Sequence, residues 1–144
     1  MILPDANLLL YAYNTATPQH DAAREWLEDV LHKPELTAFC WPVLLAFIRI
    51  GTNPRAFPQP LTPAEAALAV DSWLARPNAV VVQPGVRHWS LLRQLLLQGQ
   101  ASGPLAADAH LAALAVEHGA ILCSTDQDFA RFSSIKWHNP LLRY

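Results

Sequence analysis

The segment LAADAHLAALAVEHGAILCSTDQD, residues 105–128, joins a helix signal, a strand signal and a pair of acids in direct succession. Leucines and alanines recur at helical spacing up to Gly119, a residue type that commonly follows the last turn of a helix. The apolar run of residues 120–124 then predicts a strand, and Asp126 and Asp128 come just after it. A helix that leads straight into a short apolar strand is typical of α/β folds with a parallel sheet.

The same alternation of short apolar runs and longer helical segments extends along the rest of the chain. Thr17 and Pro18 predict the start of the second helix, as its N-cap and its first-turn residue. The uninterrupted apolar run of residues 79–82 predicts a buried strand. Strands are predicted at residues 1–4, 36–40, 79–82 and 120–124, with an edge strand near 135–138. We therefore expect one α/β domain over residues 1–144, a doubly wound three-layer sandwich with a mainly parallel sheet of four to five strands.

The composition is typical of a compact globular domain. Of the 144 residues, 52% are apolar and 15% are charged, which excludes a disordered tail. No apolar stretch reaches the roughly 18–20 residues that span a membrane, and the first residues lack the basic region of a signal peptide, so we expect a cytoplasmic protein. Cys40 and Cys123 each lie in an apolar run, which predicts two core residues and neither a zinc site nor a disulfide.

The formal net charge of −2 gives no overall attraction to nucleic acid, but the basic residues are mostly of one kind. Eight of the ten are arginine, whose planar guanidinium can bind a phosphate through two hydrogen bonds. They include Arg49, Arg55, Arg87, Arg93, Arg131 and Arg143. A local basic surface is compatible with a slightly acidic total, although exposed helix faces are the simpler explanation for any single arginine.

Four aspartates occupy the positions where parallel sheets build ligand sites. Asp5 follows the first predicted strand, Asp108 opens the helix before the fourth, and Asp126 and Asp128 follow that strand. Because the carboxyl ends of parallel strands meet at one edge, we expect these acids to converge there. Their mutual repulsion calls for a cation, and oxygen ligands favour Mg²⁺ or Mn²⁺. Such ions activate a water molecule and stabilise charge during phosphoryl chemistry.

Each acid also has a purely structural explanation. Asp5 is a good N-cap for the helix that follows, although Asn7 could cap it instead and leave the Asp5 carboxylate free. Asp108 is favoured by the helix dipole as a first-turn acid, and Asp126 and Asp128 fit a turn in which aspartate bonds the backbone. The six histidines include no pair at i, i+4 spacing, so surface or core positions are the simpler interpretation for all of them.

Three motifs together give the chain a family resemblance. LPDANLL at residues 3–9, DAHLAALA at residues 108–115 and STDQDF at residues 124–129 resemble, in this order, the PIN-domain ribonucleases, and most closely the VapC-type toxins of toxin–antitoxin pairs. The resemblance implies a doubly wound parallel sheet and cleavage of RNA phosphodiester bonds that depends on Mg²⁺ or Mn²⁺. It also implies a homodimer and a small antitoxin protein that blocks the active site.

The resemblance assigns roles to individual residues. Asp5, Asp108 and Asp126 would be the catalytic residues and metal ligands, with Asp128 as a further ligand. In the same way, Asn7 would orient the first carboxylate, and Thr125 would lie close enough to touch the metal site or the scissile phosphate.

One position departs from the family pattern. Such proteins usually carry a glutamate on the helix after the second strand, where this chain has Ala46. Either Asp128 or water compensates for the missing carboxylate, or the fold survives as a catalytically weakened interaction module. Trp41, Trp73 and Trp89 would then be available to pack against a partner helix, although core positions are the simpler interpretation. A phosphatase with Asp126 or Asp128 as nucleophile is a third hypothesis, disfavoured because such enzymes place an acid pair after the first strand.

Overall fold

The computed structural model describes residues 1–142, so Arg143 lies outside the described part of the chain. The strands are β1 (Ile2–Pro4), β2 (Thr37–Phe39), β3 (Ala79–Val81), β4 (Ile121–Cys123) and β5 (Trp137–His138). The helices are α1 (Ala6–Tyr13), α2 (His20–Leu31), α3 (Trp41–Gly51), α4 (Pro63–Leu74), α5 (His88–Gln98) and α6 (Leu105–His118). A 3-10 helix, Gln127–Arg131, follows β4.

The five strands form one sheet in the order β3-β2-β1-β4-β5, and every neighbouring pair is parallel. This confirms the predicted parallel α/β sheet. The chain winds outward from β1 through β2 to β3, then crosses to the other side of β1 to form β4 and β5. The winding direction therefore reverses between β1 and β4, and the carboxyl end of such a reversal point is where open α/β sheets place their ligand sites.

Helices cover both faces of the sheet, as the predicted three-layer sandwich requires. Right-handed crossovers place α1 to α4 on one face and α5 and α6 on the other, and the helices of each set pack against one another. Trp73 of α4 is almost fully buried and stacks on Phe39 of β2 at 5.9 Å between ring centroids. Cys40 and Cys123 are buried, as predicted for core residues. Within residues 1–142, no helix combines the length and apolar character that a membrane span requires.

Two local predictions are wrong. The run at residues 79–82 was expected to be a buried strand, but β3 is the outer strand of the sheet and Val81 is 39% exposed. The apolar character of this run reflects the burial of Val82 and the packing of Ala79 and Val80 against the core. Thr17 does not cap α2, because its hydroxyl donates to the Asn14 carbonyl and the helix begins three residues later, at His20.

Candidate metal centre

Asp5 stands at the carboxyl end of β1, where it has two local partners. As the N-cap of α1, it accepts a hydrogen bond at Oδ1 from the Ala6 backbone N–H, at 2.7 Å. Its Oδ2 accepts a 2.7 Å hydrogen bond from the Ser124 hydroxyl, which follows β4 on the neighbouring strand. The alternative in which Asn7 caps the helix is therefore wrong, because Asn7 is already the second residue of α1.

Ser124 connects three elements of the site, although no motif or spacing in the sequence pointed to a role for it. Its side chain is fully buried. Besides donating to Asp5, its Oγ accepts hydrogen bonds from Asn7 Nδ2 at 3.2 Å and from the Asp126 backbone N–H at 3.0 Å. Asn7 also donates to Thr125 Oγ1 at 2.9 Å. Asn7 thus reaches the Asp5 carboxylate only through Ser124, rather than orienting it directly.

Three of the four predicted acids form a compact group, which we call the acid group: Asp108, Asp126 and Asp128. Each contributes one carboxylate oxygen, and these oxygens all lie within 4.8 Å of one another. Asp108 comes from the first turn of α6, whereas Asp126 is the N-cap of the 3-10 helix after β4 and Asp128 belongs to that helix. Asp126 Oδ1 accepts a hydrogen bond from the Asp128 backbone N–H at 2.9 Å, which is the turn predicted from the sequence. Asp126 therefore forms this turn and belongs to the acid group at the same time.

Asp5 lies beside the acid group without belonging to it. Of the expected trio, Asp108 and Asp126 therefore belong to the acid group and Asp5 does not. Asp128, which was predicted only as a further ligand, does belong to the group. Asp5 is nevertheless near enough for its charge to act on Asp108. The structure thus brings all four acids to the same edge, with three of them in mutual contact range.

Burial and like charges raise the pKa values of two of these acids. Burial contributes most to raising the pKa of Asp108 to about 6, and the negative charges of Asp126, Asp5 and Asp128 add to it. The positive charge of Arg131 acts in the opposite direction. Burial is also the main reason that the pKa of Asp5 is raised, against the hydrogen bonds from Ser124 and Ala6 that lower it. These acids are destabilised in their charged forms unless a cation offsets the repulsion.

This electrostatic strain predicts a pH effect on the metal-free protein. In the folded state, Asp108 keeps its proton up to about pH 6. In the unfolded chain, the same carboxyl group loses its proton at about pH 3.9. Since the folded state binds more protons between these values, stability falls as the pH rises through this window. We expect the melting temperature of the parent protein in EDTA, relative to that of Asp108→Asn, to decrease between about pH 4 and pH 7. Differential scanning calorimetry measures this difference.

The control for this titration is Asp71→Asn, because Asp71 is an exposed carboxylate on α4. Its melting temperature should follow that of the parent protein over the whole range. If the difference in melting temperature between the parent protein and Asp108→Asn does not change with pH, the pKa of Asp108 is not raised.

The chemistry of the acid group fits a hard divalent cation. All three ligand atoms are carboxylate oxygens, the type that Mg²⁺, Mn²⁺ and Ca²⁺ prefer, whereas zinc sites are usually built with histidine or cysteine. Ligands of one Mg²⁺ lie at most about 4.2 Å apart, twice the usual metal–oxygen distance. The separation of up to 4.8 Å in the acid group needs only small side-chain adjustments to meet this limit. The Oδ1 atom of Asn7 is buried beside the site without a hydrogen-bond partner in residues 1–142.

The helix that carries Ala46 supplies no acid to the site. Its sequence, WPVLLAFIRIG, contains no carboxylate, and Ala46 is partly buried against the core. Of the three tryptophans considered for partner binding, Trp73 is a core residue at 1% exposure. Trp41 and Trp89 are 50% and 65% exposed, so the expectation that tryptophans of this chain are core residues is wrong for these two.

One contact between two histidines could not be predicted from the spacing of histidines along the sequence. His88 Nε2 and His110 Nδ1 are 2.9 Å apart, which joins α5 to α6 across 22 positions of sequence. His88 Nδ1 faces Glu117 Oε1 at 3.9 Å and has no hydrogen-bond partner within the described residues. The Glu117 carboxylate instead accepts the backbone N–H groups of Gly85 and Arg87, which fixes the turn before α5. This cluster stabilises the contact between two helices and does not include the acid group.

Comparisons with known proteins identify the family to which the chain is similar. The family model described as PIN domain matches residues 2–135. The chain is 46% identical over 141 residues to ribonuclease VapC37 of Mycobacterium tuberculosis, and the match covers 97% of each protein. It is 40% identical to ribonuclease VapC33 of the same species, covering 98% of this chain and 99% of the relative.

Solved structures show the same fold at low sequence identity. VapC20 of Mycobacterium tuberculosis, described as a sarcin–ricin loop cleaving toxin, matches with a TM-score of 0.68 and 16% identity over 94% of this chain and 96% of its own. A chain of the VapBC2 complex of Rickettsia felis, solved on a promoter DNA fragment, matches with a TM-score of 0.66 and 19% identity over 96% of this chain and 98% of its own.

Proposed function

Because this chain belongs to the PIN-domain family, in its VapC branch, we propose that it is an endoribonuclease that depends on Mg²⁺ or Mn²⁺ and acts as the toxin of a toxin–antitoxin pair. The observation that carries the proposal is the acid group, which gathers three carboxylates at the carboxyl edge of the sheet. The relatives named as ribonucleases over nearly the whole chain support the choice of RNA as substrate.

Two side chains of the acid group are left free for a ligand. Within residues 1–142, the carboxylates of Asp108 and Asp128 accept no hydrogen bond from the protein, and Asp126 accepts one at Oδ1 only. Asp5 accepts one hydrogen bond at each oxygen, which leaves further lone pairs on both. We therefore assign Asp108, Asp126 and Asp128 as ligands of the cation, with Asp5 as a fourth acid that adds negative charge and can also bind the cation.

The proposed reaction is hydrolysis of an RNA phosphodiester bond by water. When bound, the divalent cation lowers the pKa of a coordinated water and offsets charge on the phosphate in the transition state. The chain contributes orientation: Ser124 fixes the Asp5 carboxylate and the Asp126 backbone, and the 3-10 helix fixes Asp128. The presence of Asp128 in the acid group supports a working site despite Ala46, and so weighs against the interaction module.

The proposal includes an antitoxin and a second copy of the chain as partners. Complexes of toxins with antitoxins are among the structures with this fold, such as the toxin–antitoxin complex of Klebsiella pneumoniae. On α3, Trp41 and Leu45 are one turn apart and 50% and 61% exposed, which offers an apolar ridge to a partner helix. Analytical ultracentrifugation of the chain with and without the product of a neighbouring short reading frame measures both associations.

Metal removal tests the catalytic proposal. We expect the purified chain to cut a structured RNA internally with Mn²⁺ or Mg²⁺ present, and to lose this activity in excess EDTA. Isothermal titration calorimetry should show heat of Mn²⁺ binding. If the parent protein neither cleaves RNA nor binds Mn²⁺, yet binds an antitoxin tightly, the interaction module becomes the correct interpretation.

A further inference from the structure

Arg131 is the last residue of the 3-10 helix Gln127–Arg131, which contains Asp128 and directly follows Asp126. Its Nη1 donates a 2.9 Å hydrogen bond to the Gly99 carbonyl, directly after α5. Gly99 is closely packed there, because a Cβ at this position would lie 2.7 Å from the Phe132 ring. The guanidinium is therefore anchored to a fixed backbone atom.

The charge of Arg131 acts on the acid group without being paired to it. Arg131 follows Asp128 by three residues in the 3-10 helix, so the two side chains leave the same face of that helix. Yet no ion pair within 4.0 Å joins Arg131 to a carboxylate in residues 1–142, where the ion pairs of arginine and lysine involve other residues. Arg131 is consequently not the cation that holds the acids together.

An anchored, exposed guanidinium beside a group of carboxylates is suited to a phosphate. One of its five N–H donors is used by Gly99, and the residue is exposed, so the remaining donors are available to a ligand. A planar guanidinium matches the oxygens of a phosphate in a bidentate arrangement. The surrounding carboxylates repel RNA, and a neighbouring positive charge offsets part of this repulsion.

We propose that Arg131 binds a backbone phosphate of the RNA substrate next to the acid group and thereby positions the strand for cleavage. This inference rests on the proposed ribonuclease function. It adds a substrate-binding residue that lies outside the set of acids.

The test is RNA binding, measured separately from cleavage. In an Asp108→Asn background that prevents cutting, the affinity for a fluorescent structured RNA is measured by anisotropy over a series of KCl concentrations with Mn²⁺ present. Adding Arg131→Gln should weaken binding about tenfold, as expected for a lost charge-assisted hydrogen bond. The slope of log K against log salt should also fall by about 0.7–0.9, the value for one phosphate contact.

Two matched variants separate this role from a structural one. Arg131→Lys keeps the charge and should retain the salt slope while losing part of the affinity, because lysine cannot bind bidentately. Arg93→Gln removes an exposed arginine of α5 and should change neither quantity. If Arg131 only ties the 3-10 helix to α5, Arg131→Gln will lower the melting temperature and leave the salt slope unchanged, which overturns the inference.

The outcomes also separate this inference from the proposed function. If Asp108→Asn abolishes cleavage by the parent protein but Arg131→Gln leaves affinity and slope unchanged, the ribonuclease proposal stands and the role of Arg131 is wrong. If the Asp108→Asn protein binds no RNA and the parent cuts none, both are wrong.

Discussion

Asp108→Asn is expected to reduce Mn²⁺-dependent RNA cleavage at least ~100-fold, since loss of a ligand should cost more than the 10–100-fold typical of an outer residue around a metal. The substitution removes one of three carboxylates whose oxygens lie within 4.8 Å of one another. It also removes a group whose pKa is raised to about 6 by burial and by neighbouring acids, so the metal-free fold should become more stable while the activity disappears.

This opposite change in stability and activity distinguishes a metal ligand from a structural first-turn acid. If Asp108 only interacted favourably with the α6 dipole, its loss would destabilise the protein slightly and spare the chemistry. Cleavage rates and melting temperatures are measured for Asp108→Asn and for the exposed control Asp71→Asn. A variant that cleaves RNA at the parental rate would remove Asp108 from the site and with it the proposed mechanism.

The sequence predicted the elements of the fold well because local signals and tertiary structure agree along most of the chain. Gly119 does adopt the left-handed conformation, with φ of 65°, that ends α6 before β4. Thr62 and Glu65 form the reciprocal capping box that starts α4. The position of a strand in the sheet has no such local signal. The apolar run of β3 therefore predicted a buried strand, although β3 is an edge strand of the sheet and Val81 is exposed.

The sequence predicted the edge of the sheet at which the site lies, but it did not predict which acids lie close to one another. Parallel strands place Asp5 and Asp126 at the same edge, and topology alone is enough to predict this. Which acids touch depends on side-chain directions that the 3-10 helix sets, and this helix turns Asp128 toward Asp108. The role of Ser124 was missed for a similar reason: a small residue at a strand end carries no signal until its buried neighbours are known.

Ser124→Ala should have the second largest effect, because this single hydroxyl holds together groups from β1, α1 and the turn after β4. Its loss removes the hydrogen bond to Asp5 and leaves the Asn7 amide and the Asp126 backbone N–H without their Ser124 acceptor. Unpaired buried polar groups cost about 1–3 kcal/mol, so the variant should be less stable by about this amount. Misplaced acids should also weaken Mn²⁺ binding about 10–100-fold.

Thermal melts and Mn²⁺ calorimetry on three variants resolve the two effects. Ser133→Ala changes an exposed serine two residues after the 3-10 helix ends, and this variant should behave as the parent protein. Thr125→Val removes one hydrogen bond from Asn7 but keeps Ser124, so it should lower stability with a smaller loss of metal affinity. If Ser124→Ala loses stability but binds Mn²⁺ as tightly as the parent, Ser124 supports the fold only. The carboxylates would then be positioned without help from Ser124, by α6, by the 3-10 helix and by the Ala6 N–H that holds Asp5.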